Sequence, residues 1–244
     1  MTGVARGIAG EWRELISAVI TQTRRRGPAA FPVTAIATAS VMGLAVLNTG
    51  PAGHHFIRIW VDEYARLPIR PALERLVPSF AAPTARLPYW GAILQVALVF
   101  GIAEALYGSR VTVAIALLAH CVSTLSARVF IWLGPHVFFG MIAIAAKYAD
   151  SGPSGATVGL LAFLAVRRRS IQGGVLLCAF LITEWVWKHG LAQREHIVAA
   201  LVGAVLAVIV VRATSPTPPA TLVLGDSAPP SRIPVGDTTQ HSLP

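Results

Sequence analysis

Apolar residues in this chain gather into long runs with short polar breaks, a pattern that predicts membrane-crossing helices rather than a water-soluble core. Runs at 32–48, 89–107, 111–132, 154–166, 171–187 and 195–211 predict six spans. The first is close to the lower length limit for crossing the hydrocarbon layer. The second opens on the interfacial pair Tyr89-Trp90, and Gly108-Ser109-Arg110 marks a tight turn into the third. Between the first two runs, residues 49–87 are interrupted by proline and interleave Ile57, Ile59, Trp60 and Tyr64 with charge. Short amphipathic helices at the membrane surface are expected there.

Residues 133–150 are apolar but broken by Gly134-Pro135, and His136 to Ala149 is too short to cross comfortably. A re-entrant or interfacial segment is expected. Near the N-terminus, Ile8, Trp12, Leu15, Ile16, Val19 and Ile20 share one helical face, which predicts an amphipathic helix on the inner membrane surface. A partly disordered leader is the alternative. From Ala213 the chain is rich in Pro, Ser and Thr, and a disordered tail is expected. The resulting plan is all-α and polytopic: a cytoplasmic leader at 1–29, a six-span membrane domain at 30–212, and a cytoplasmic tail at 213–244.

Composition agrees with this plan: 55% of residues are hydrophobic and 13% are charged, against about 25% charged in a soluble domain. The net charge of +9 raises the question of nucleic acid. The arginines, however, sit in short clusters between apolar runs, without a basic-aromatic stripe, so no nucleic-acid partner is expected. Six spans put Arg24-Arg25-Arg26, Arg110, Arg167-Arg168-Arg169 and Arg212 on one side. Short-loop arginine excess marks the cytoplasm, so a multi-pass protein of the cell membrane with both termini cytoplasmic is expected. Counting 134–148 as a seventh span would move the second Arg triplet outside. Arg6, Glu11, Arg13 and Glu14 interrupt the first stretch, which is not the pattern of a cleavable signal peptide. Cys121 and Cys178 lie within apolar segments and read as small hydrophobes, and His54-His55 lacks a third ligand at metal spacing. No disulfide or metal site is expected.

One stretch has the look of chemistry. Gly152-Pro153-Ser154-Gly155 opens the fourth span, where backbone N–H groups lack helical partners and can face a developing oxyanion. Helix capping by Ser154 is the structural alternative. A base is available in His196, near the start of the sixth span; the alternative there is an interfacial histidine facing water. Ser154 lies 13 residues before Arg167 and His196 lies 16 before Arg212, so both stand about 20–24 Å above the cytoplasmic ends. Glu104 and Glu184, near opposite membrane faces, read as structural or interfacial groups, and Trp185, Trp187 and Lys188 as an anchor.

With these residues the chain resembles the rhomboid intramembrane serine proteases. Gly152, Ser154 and Gly155 are similar to that family's nucleophile motif, and His196 with Gly203 to its histidine helix. Glu104 followed by Gly108-Ser109 is similar to a pattern at the inner end of its second span. The resemblance covers roughly residues 30–211 and implies a six-span bundle that cleaves transmembrane protein substrates in the bilayer, without metal or organic cofactor. It also implies catalytic roles for Ser154 and His196. Two features depart from the family. Its His-x-x-x-Asn motif, which serves the oxyanion, corresponds here to Pro88 and Ala92, and the aromatic residue four positions after the nucleophile is Val158. His120 and Thr124, one turn apart on the third span, offer substitute oxyanion groups. A non-catalytic binder of transmembrane helices and a small-solute transporter are the competing functions; a transporter should show internal repeats, and no convincing repeat is found.

Overall fold

A computed structural model describes residues 2–82 and 88–214, and these fold into eight α-helices with no strand among them. In chain order they are α1 (Thr2–Arg26), α2 (Pro32–Leu47), α3 (Pro51–Trp60), α4 (Ile69–Ser79), α5 (Tyr89–Leu133), α6 (Ser154–Arg167), α7 (Ile171–Lys188) and α8 (Leu191–Thr214). By length and apolar composition three of them suffice to cross a membrane: α5, α7 and α8 over Leu191–Val210. Two more, α2 and α6, are apolar but shorter. The tail expected from Ala213 falls outside the described residues except for its first two positions.

At 45 residues, α5 would extend about 68 Å if straight, more than twice a bilayer core. It does not run straight. Gly108, at φ 78° and ψ 166°, breaks the helix in a region that side chains with a Cβ avoid. Phe100 and Ala116, each eight positions from that break, line one cavity, so the two arms fold back on each other.

Beside the break, the buried Glu104 carboxylate accepts hydrogen bonds from the N–H groups of Val33 and Thr34 (3.1 and 2.8 Å) and from the hydroxyls of Thr34 and Ser109 (2.7 and 2.6 Å). No side chain within α2 caps its start. An anion from another helix satisfies those orphan donors and meets the positive end of the α2 dipole. Glu104 thus has a structural job.

The core lies where α6 meets α5 and α8. Small residues let the backbones approach closely. A Cβ on Gly203 would lie 2.0 Å from the Gly159 carbonyl oxygen, and one on Gly159 would lie 2.2 Å from the Ala119 methyl. Farther down, Leu160, Phe163 and Ala207 join Val96, Phe100 and Ile115 in one buried cluster.

The long connection after α2 forms the short helices expected of it. α3 turns Gly53 and Ile57 inward, and α4 turns Ala72, Leu76 and Ser79 inward. Residues 134–152 contain only one five-residue 3₁₀ turn, Ala143–Lys147, and no helix of crossing length. Hydrogen bonds tie this segment down: Met141 N–H bonds the Phe130 carbonyl, and the Arg194 guanidinium donates to the carbonyls of Phe139 and Gly140.

The leader is one helix of 25 residues, longer than the 8–20 face suggested. Glu14 pairs with Arg168 at 2.7 Å and Glu11 accepts from the Ser170 hydroxyl at 2.6 Å, while Trp12, Ile16 and Ile20 stay exposed along one stripe. α8 starts at Leu191, four residues before the expected Glu195, and His196 therefore sits a turn inside the helix.

Candidate functional site

The α6 helix begins on Ser154 itself. Pro153 occupies the cap position, and no side chain there bonds the first-turn N–H groups. The capping role considered for Ser154 is not what its hydroxyl does. The first-turn backbone donors are left pointing out of the helix end. Below them, Thr157 donates its hydroxyl to the Ser154 carbonyl (2.9 Å), and Gln95 donates its amide to that same hydroxyl oxygen (2.5 Å).

Ser154 shares a small cavity with His120, Thr124, Gly152 and Gly155. Its other walls are Ser123, Asp150, Ser151 and Glu195, and its volume of about 10 Å³ leaves room for one water. The sequence-nominated group therefore converges, with His196 as the exception. The approach to Ser154 is held by the 61–68 connection. Glu63 accepts the Asp150 N–H on its carbonyl (2.8 Å) and donates its own N–H to the Ser151 hydroxyl (2.9 Å), and Gly152 N–H bonds the Ser79 carbonyl (2.8 Å). Burial pushes the Glu63 carboxyl above its ordinary range, only partly offset by the Arg128 guanidinium at 3.0 Å.

His120 is committed elsewhere. Its Nε2 lies 2.9 Å from the Leu76 carbonyl and 3.1 Å from the Ser79 hydroxyl, tying α4 to α5. A carbonyl only accepts, so Nε2 bears the hydrogen and Nδ1 of the neutral ring is an acceptor. An acceptor cannot stabilise an oxyanion. Of the two substitutes, Thr124 retains a suitable hydroxyl on the cavity wall.

His196 is at the right depth. Gly159 touches α8 at Ala199 and at Gly203, centred on position 201, and Ser154 lies five residues up α6 from Gly159. Five residues up α8 from that centre is position 196. The two helices run the same way, since Glu195 joins Ser154 in the upper cavity and Ala207 joins Phe163 below. His196 is buried, at 6% exposure, which removes the alternative of an imidazole facing open water.

No hydrogen bond joins it to Ser154. His196 Nδ1 instead meets the Glu184 carboxylate at 2.5 Å, and Nε2 is buried without a partner among the described residues. The ring lies 5.9 Å from that of Phe180, at 34°. Glu195, the preceding residue, takes the cavity wall together with Asp150.

No family model matches the chain, and no curated protein does.

Sequence reasoning overlooked Glu184, Phe180 and Gln95 as parts of this site. The first two are four apart on α7 and so share a face, and a carboxylate in an apolar helix is costly unless paired, a signal that points to a partner without saying which. Nothing in the sequence connects Gln95 to Thr157. Trp185, expected as an anchor, packs under the Arg194 guanidinium (5.0 Å), whereas Trp187 is 80% exposed. Among the described residues no group of three or more His, Cys, Asp or Glu is placed to hold a metal.

Proposed function

We propose that this chain is a rhomboid-like intramembrane serine protease, with Ser154 as nucleophile and His196 as general base. The observation that supports it most is the uncapped Ser154 at the mouth of α6, level with a buried His196 whose Nε2 is unpartnered. In this reading α2, the two arms of α5, α6, α7 and α8 make six crossings. The 16 residues of α2 and 14 of α6 reach only about 24 and 21 Å, which local bilayer thinning accommodates. The arginine-rich end faces the cytoplasm and the site opens toward the outer leaflet.

Catalysis would run as in other serine hydrolases. Ser154 Oγ attacks the carbonyl of a substrate's transmembrane segment while Nε2 of His196 accepts its proton. Nε2 then returns that proton to the leaving amine, and water releases the acyl group by the reverse sequence. First-turn N–H groups of α6 and the Thr124 hydroxyl hold the oxyanion. The cavity must widen and the two side chains must close together as substrate enters.

Purified full-length protein in proteoliposomes, given a model transmembrane substrate, should cleave it. Cleavage and fluorophosphonate labelling should disappear in Ser154→Ala and in His196→Ala. Equal cleavage by Ser154→Ala would end the proposal. A second reading, a non-catalytic binder of transmembrane helices, is favoured by the closed cavity and the missing Ser154–His196 hydrogen bond. Absence of labelling, under conditions that label a known serine hydrolase, selects it.

A further inference from the structure

We infer that Glu184 is a positioning residue for His196, making the site a triad rather than a dyad; this rests on the protease reading. The carboxylate lies 2.5 Å from Nδ1, and a carboxylate accepts, so the hydrogen of the neutral ring resides on Nδ1 and the lone pair on Nε2. Nε2 is buried with no partner among the described residues. That is the tautomer a general base needs. When the Ser154 proton moves to Nε2, the imidazolium that forms has a countercharge already in contact.

Glu184 is itself held in place. Gln193, in the first turn of α8, stands beside it, and the Gln193 side-chain Oε1 accepts the Gly190 N–H at 2.9 Å. The opposite flank of the imidazole is set by Phe180, one turn before Glu184 on the same face of α7. Ring angle and tautomer are thus both fixed from α7, a helix with no buried residue of its own. Leu177 and Leu181 already dock α7 against the buried Ala119, Val158 and Ala199, so the Glu184–His196 contact is not needed to hold the helix in place.

The test uses the full chain in lipid nanodiscs, with ¹⁵N-labelled histidine and a fluorophosphonate probe. Wild-type His196, assigned by its loss in His196→Gln, should show an Nδ1–H resonance shifted strongly downfield. Glu184→Gln, which keeps size and removes charge, should abolish that resonance and slow Ser154 labelling about 100-fold or more. Equal labelling of Glu184→Gln and wild type, or an Nε2–H tautomer in the wild type, overturns the inference. Should wild-type Ser154 fail to react while the Nδ1–H signal depends on Glu184, the protease reading falls and the positioning role falls with it, leaving a structural hydrogen bond between α7 and α8.

Discussion

A serine at a helix start normally spends its hydroxyl on the helix's own N–H groups. Ser154 does not, because Pro153 takes the cap position and shifts the serine into the first turn. The same logic of prior commitment separates His120 from Thr124. His120 is bound to Leu76 and Ser79 through Nε2, which leaves only an acceptor toward the site, while the Thr124 hydroxyl lines the cavity. Thr124→Val preserves shape and removes the donor. Turnover of a model substrate should fall about 10²–10³-fold, the loss typical of one oxyanion donor. Turnover equal to wild type would remove Thr124 from the mechanism and leave the backbone N–H groups as the oxyanion site.

Between elements, glycine sets the register that puts Ser154 and His196 at one depth. Gly159 and Gly203 bring α6 and α8 into backbone contact, and a Cβ at 203 meets the Gly159 carbonyl at 2.0 Å. Gly203→Val should therefore push the helices apart and destabilise the protein by about 1–3 kcal/mol, the usual cost of overpacking. Ser154 labelling should fall as well, although neither reactive side chain is altered. A melting temperature and labelling rate both equal to wild type would show that this contact does not hold the site. Glu104 acts at the opposite end in the same inter-element way, closing the start of α2 from the α5 break.

Over the whole molecule, the two ends differ in chemistry. One gathers Glu104, Ser109, the start of α2, the Arg168–Glu14 pair and α1 with its exposed Trp12, Ile16 and Ile20 stripe. The other gathers the Ser154 cavity, α4 and the 134–152 segment. Arginine at the first end predicts that it faces the cytoplasm. In a background with Cys121 and Cys178 replaced by serine, a membrane-impermeant maleimide should label Val137→Cys on intact cells. Arg169→Cys should react only after permeabilisation. The reverse pattern would place the site on the cytoplasmic side and contradict the proposed topology.

The run lengths and the glycine and proline breaks located most of the apolar helices, because a helix that satisfies its backbone internally can be apolar along its length, although α1 is longer than its expected face and α8 starts earlier than its run. Thus α6 and α7 start at Ser154 and Ile171, the positions their runs imply, and residues 134–152 form no membrane-length helix. The depth match of Ser154 and His196 was also legible, since helical rise converts residue count directly into height. Rotation of each helix about its axis was not. A shift of one residue turns a side chain by about 100°, and apolar faces exposed to lipid give little periodic contrast with those packed inside. Tertiary packing therefore decided that Glu195 rather than His196 walls the cavity, that Glu184 and Phe180 hold the imidazole, and that Gln95 meets Thr157.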